Sequence, residues 1–70
     1  MDKTELAKLE RFLRKTFSNH TLRVAARPKK TDSAEVYVGE EFIGVIFVDD
    51  EDDDRSFNFQ MAILAEDLEA

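Results

Sequence analysis

The segment from Phe42 to Val48 is apolar at every position except Gly44. Successive side chains of a strand point to opposite faces, so Phe42, Ile46 and Val48 fall on one side and Ile43, Val45 and Phe47 on the other. A strand of this kind needs cover on both faces. That requirement governs how the other segments are read.

The chain has 70 residues and no cysteine. Such a length allows a single domain and no separate catalytic module. A domain this small buries only about 60% of the surface its unfolded form exposes, and no disulfide or thiolate-bound zinc is there to staple it. With 43% hydrophobic residues, six phenylalanines, one proline and two glycines, the composition supports a packed core and argues against disorder. Met1 to Leu9 mixes charge with leucine, unlike a signal peptide, and no stretch approaches a membrane span. The expectation is a soluble, cytoplasmic protein.

Asp2 and Glu5 have the spacing of a capping box at the head of an apolar-periodic run. At 100° per residue, Leu6, Leu9, Phe12, Leu13 and Phe17 share one face of a helix, which predicts the packing face. Lys8, Arg11, Arg14 and Lys15 cluster on the other side, and Ser18, Asn19 and His20 end the helix. Thr21 to Arg27 alternates as a half-buried strand, and Pro28 closes it and places it at a sheet edge. Lys29 to Ser33 reads as a polar loop and Ala34 to Val38 as a second strand. A tight hairpin at Gly39 leads into the apolar strand. Ser56 to Ile63 alternates again, with Phe57, Phe59, Met61 and Ile63 on its core face. The tail from Leu64 to Ala70 predicts a short helical turn with Leu64 and Leu68 on one side. The fold class is therefore α+β, an N-terminal amphipathic helix on a four-stranded antiparallel meander. One helix, roughly 10 Å across, covers only part of a sheet nearly 20 Å wide.

No constellation points to catalysis. His20 is the sole histidine, and the three serines have no nucleophile-elbow pattern around them. Gly39 and Gly44 are isolated, a turn and a bulge or close-packing point respectively, and form no phosphate loop. Six acids in a row, Asp49 to Asp54, place Asp50, Asp52 and Asp54 at the first three ligand spacings of an EF-hand. Arg55 then occupies the glycine position and Met61 the bidentate glutamate position, so a solvated, mutually repelling loop is favoured over weak divalent-cation association. No cofactor is expected.

Charge is divided along the chain. Residues 1–30 carry nine Lys/Arg against three Asp/Glu, and residues 31–70 carry one against thirteen. Lys8, Arg11, Arg14, Lys15, Arg27, Lys29 and Lys30 could line a phosphate-binding surface, with Tyr37 as an aromatic platform. A helix followed by three strands resembles the start of a double-stranded RNA-binding domain, but a fourth strand and an acidic tail stand where that domain has a basic helix. Nucleic-acid (RNA) binding is thus the alternative reading. The leading one is a noncatalytic protein–protein interaction module, with a homodimer as one form. Leu64 and Leu68 join the basic residues and Tyr37 as its candidate surface.

The runs Arg27-Pro28-Lys29-Lys30, Asp32 to Gly39, Glu41 to Val45 and Asp54 to Leu64 together resemble a family of short alphaproteobacterial proteins catalogued as domain of unknown function 3126. The resemblance covers nearly the whole chain. It implies a stand-alone bacterial protein of this length and brings no activity, cofactor or site residue with it.

Overall fold

The computed structural model describes residues 1–51 and 54–69. A helix, α1 (Lys3–Thr16), precedes four strands, β1 (Leu22–Arg27), β2 (Lys30–Val38), β3 (Glu41–Asp49) and β4 (Ser56–Gln60), and a 3-10 turn closes the chain at Ala65–Glu69. The strands form one antiparallel meander in the order β1-β2-β3-β4. The α+β architecture read from the sequence is the one observed. No helix among the described residues is long and apolar enough to cross a membrane.

Helix α1 starts where the capping box places it. The Asp2 carboxylate accepts from the Glu5 N–H at 2.8 Å, filling one of the orphan donors of the first turn. Its other end is a Schellman motif: the Ser18 N–H donates to the Lys15 carbonyl at 3.3 Å and the Asn19 N–H to the Arg14 carbonyl at 2.9 Å. This geometry puts Ser18 at φ 51, a left-handed position normally given to glycine. The Asn19 side chain then accepts from both the N–H and the hydroxyl of Thr21, which redirects the chain into β1.

The core lies between α1 and one face of the sheet. Leu13, Leu22, Val36 and Ile46 are buried together, flanked by Leu9, Val24, Val38, Phe57 and Phe59. Each fully buried aliphatic side chain contributes about 1.5–3 kcal/mol relative to an exposed one. The register explains the grouping: Val24 pairs with Val36, Ala34 with Ile46 and Ile46 with Phe59, all on the helix side.

Three local expectations are corrected. Phe12 and Phe17, assigned to the packing face, are 63% and 56% exposed, because α1 is turned so that Glu10 and Arg14 reach the sheet. Lys30 to Ser33 belongs to β2 and not to a loop; the turn is only Pro28-Lys29, and the register shift at Ala26/Arg27 absorbs the extra residues of β2. Strand β4 ends at Gln60 rather than Ile63. The tail forms the short helical turn expected of it, a 3-10 turn held by the Leu64 N–H to the Asp67 carboxylate and the Asp67 N–H to the Leu64 carbonyl, both at 2.9 Å.

The two glycines act as turn and close-packing point. Gly39 has φ 61 at the first position of a two-residue hairpin loop, the place where a type II′ turn requires glycine. Gly44 follows the bulge at Ile43. A Cβ there would lie 2.3 Å from the Gln60 carbonyl oxygen and 2.7 Å from the Phe59 ring, so the ring occupies the space that a side chain would fill.

Candidate interaction surface

Of the seven basic residues singled out in the sequence, five are exposed and two, Arg14 and Arg27, are engaged within the fold. Lys8, Arg11 and Lys15 are exposed on the solvent side of α1. Arg14 is used internally: its Nε donates to the Leu22 carbonyl at 2.7 Å, while the neighbouring Glu10 carboxylate accepts from the Val24 N–H at 3.0 Å. These two side chains, themselves 3.6 Å apart, satisfy backbone groups on the open side of edge strand β1. Arg27 donates to the buried Ser33 hydroxyl at 3.1 Å, while Lys29 and Lys30 are exposed around the β1–β2 turn.

Tyr37 is likewise engaged. It sits on the sheet face opposite α1 with the Arg23 guanidinium 4.9 Å above its ring and the Phe42 ring edge-on at 5.7 Å. Its hydroxyl donates to Glu35 at 2.8 Å, and this bond, aided by desolvation, pushes the phenol above its ordinary pKa. Arg23 also donates to the Gly39 carbonyl at 2.8 Å, tying this cluster to the hairpin.

At the opposite end of the sheet Arg55 forms a clamp. Its guanidinium makes two bonds to the Glu5 carboxylate, at 2.8 and 2.9 Å, a third to Asp50 at 3.3 Å, and lies 5.5 Å from the centre of the Phe57 ring. The Arg55 bonds hold the Glu5 carboxyl below its usual pKa. The N-terminal turn of α1 is thereby fastened to the strand β4 that it only partly covers. Of the three acids at EF-hand spacing, Asp52 lies outside the described residues and Asp50 faces Arg55. Among the described residues no group of three acids or histidines could hold a metal ion.

Among the described residues the second sheet face carries no helix. Leu64 and Leu68 are 54% and 75% exposed and line an open groove of about 970 Å³ between the tail and the outward face of β3. Phe42, Phe47, Met61 and Ile63, not singled out as site residues, line the same groove and are also exposed. The two-sided apolarity of the third strand was the signal for Phe47; the bulge at Ile43 turns Phe42 to the same side, and Met61 and Ile63, expected on the core face of the fourth strand, lie beyond its end. Glu41 and Asp67 are the charged residues of the lining.

No curated protein and no solved structure matches this chain. The match to a family covers residues 5–67, from the first turn of α1 through the sheet into the 3-10 turn, and so spans the clamp, the edge-strand contacts and all of the groove lining except Leu68. The chain belongs to the family described as Protein of unknown function (DUF3126).

Proposed function

We propose that this chain is a noncatalytic, cytoplasmic association module that docks another protein surface in the groove between β3 and the tail. One observation carries the reading: of the eight exposed large hydrophobic side chains among the described residues, six line this groove. Scattered surface hydrophobes are ordinary, but a contiguous apolar set rimmed by polar residues is the mark of an interaction site. The groove also answers the need identified in the sequence, since a strand apolar on both faces has α1 on one side only.

The basic residues support nucleic-acid binding less well, because Arg14 and Arg27 are spent on Leu22 and Ser33 and Tyr37 is boxed by Arg23, Glu35 and Phe42.

The test uses the Leu64→Asp/Leu68→Asp double variant. Both side chains are largely exposed, so far-UV circular dichroism and the melting temperature stay at wild-type values. Apolar dye binding and the set of proteins retained by the immobilised chain are both expected to fall away. A double variant that binds dye and partners as the wild type does would remove the groove from consideration.

A further inference from the structure

We propose that the groove is filled by α1 of a second copy of this chain, so that copies associate head to tail. This rests on the groove's being the docking surface, and it names the occupant.

The two exposed apolar surfaces of the molecule are chemically complementary. The groove is apolar in its lining and acidic at its rim: Glu41 and Asp67 line it, Glu66 and Glu69 belong to the same 3-10 turn as Asp67, and no lysine or arginine contributes to it. Of the two remaining exposed large hydrophobes, Phe12 on α1 and Phe17 at its C-cap, Phe12 is flanked by cations on its solvent side. Lys8 precedes it by four residues and Lys15 follows by three, so both lie beside it, and exposed Arg11 extends the same cationic side of the helix further into solvent. The acids of α1 that could spoil this match are drawn away from it, Glu5 to Arg55 and Glu10 to Val24. With Leu9 and Leu13 packed on the sheet of its own copy, α1 offers Phe12 as a single aromatic anchor for an apolar groove. Cations around the anchor against acids around the groove supply orientation and exclude the reverse pairing of helix with helix or groove with groove.

Placement decides the form of the assembly. Helix α1 lies on one face of the sheet and packs along β1, whereas the groove opens on the other face at β3 and the tail. Because the two surfaces face away from each other, one pair of copies cannot satisfy both contacts reciprocally about a two-fold axis. The contact is heterologous, and association continues past the dimer into chains or a ring.

Complementation between two deficient variants tests this. Lys8→Glu/Arg11→Glu/Lys15→Glu leaves the groove intact and disables the helix face; Leu64→Asp/Leu68→Asp does the converse. All five positions are exposed, and circular dichroism verifies that both variants are folded. In sedimentation velocity at about 50 mM salt, the wild type should show average mass rising with concentration past two copies. Each variant alone should remain a monomer, and an equal mixture should form a 1:1 dimer and nothing larger, since only one helix and one groove are competent. Raising salt to about 500 mM should weaken wild-type association by about tenfold, as expected for a few screened ion pairs. A wild type that stops at a dimer, or variants that fail to pair when mixed, would overturn the head-to-tail assignment. A wild type that stays monomeric at millimolar concentration but loses dye and partner binding in the Leu64→Asp/Leu68→Asp variant would end self-association while leaving the groove a docking surface for another protein.

Discussion

The Glu10 carboxylate accepts a hydrogen bond from the Val24 N–H at 3.0 Å, so a helix side chain fills a place on the open edge of β1 that a further strand would otherwise take. Edge strands offer unpaired backbone groups as templates for aggregation, and side chains that occupy those groups are one way to blunt them. Removing the acceptor leaves a part-buried N–H unsatisfied. Glu10→Ala is expected to cost about 1–2 kcal/mol and to hasten thioflavin-positive aggregation, whereas Glu10→Gln, which keeps an acceptor oxygen, should lie close to wild type. Denaturant melts and aggregation kinetics of the three proteins check this, and equal aggregation of both variants would argue against edge protection.

The two glycines should fail for different reasons and by different amounts. At Gly44 the nearest obstacle to a Cβ is the Gln60 backbone oxygen at 2.3 Å, which cannot rotate away, so Gly44→Ala must displace β4. A cost of about 3 kcal/mol or more follows for such overpacking, enough to threaten folding in so small a domain. At Gly39 nothing lies within 4 Å and only the φ of 61 resists substitution. Gly39→Ala is therefore expected to cost about 1–2 kcal/mol, and Gly39→Asn less. Phe59→Ala should not rescue Gly44→Ala, because the backbone contact remains; thermal melts of the single and double variants supply the comparison.

Ser18 presents the opposite opportunity. Its φ of 51 is imposed by the Schellman bonds to Lys15 and Arg14, and a serine pays for that conformation where a glycine would not. Relief of about 1–2 kcal/mol is partly offset by the greater chain entropy of glycine in the unfolded state. Ser18→Gly should stabilise by about 0.5–1 kcal/mol and raise the melting temperature by roughly 2–8 °C for a domain of this size. A lowered melting temperature would mean that the Ser18 side chain contributes something the geometry does not reveal.

Much of this fold was legible because the local signals agree with one another. Asp2 and Glu5 marked the helix start, Pro28 marked β1 as an edge strand, and the alternation around Phe57 and Phe59 marked β4. The rotation of α1 was not legible. Apolar periodicity groups Phe12 with Leu9 and Leu13, but it carries no information on which polar neighbours the sheet edge will recruit, and Glu10 and Arg14 tip the helix toward β1. Polar composition hid the start of β2, whose residues Lys30 to Asp32 are exposed although they extend the strand. The end of β4 was hidden by an alternation that runs on through Met61 and Ile63, while the pairing stops where Gly44 and the bulge at Ile43 come opposite. The groove residues fell between these cases. Leu64 and Leu68 were legible as an unpartnered apolar pair, but only the path of the tail past β3 brings Phe42, Phe47, Met61 and Ile63 to them.

The Glu5–Arg55 clamp gives the fold a dependence on pH whose sign is set by the direction of the Glu5 shift. Paired with Arg55, the Glu5 carboxyl titrates below its usual value, so the folded state holds the ionised form more strongly than the unfolded chain does. Its contribution is fully present above the unfolded-chain glutamate pKa of about 4.3 and is lost as pH falls from there through the lower, folded value. Because the pair is part exposed, with the Glu5 side chain at 23% and Arg55 at 45%, solvent screening keeps the effect small. Glu5→Gln should therefore cost up to about 1 kcal/mol at neutral pH, the upper range for exposed pairs, and the wild-type and variant stabilities should converge as the pH drops below 4.3 or so. Denaturant melts at a series of pH values measure the gap directly; a gap that stays constant into the acid range would show that the Glu5 side chain acts through packing and not through its charge.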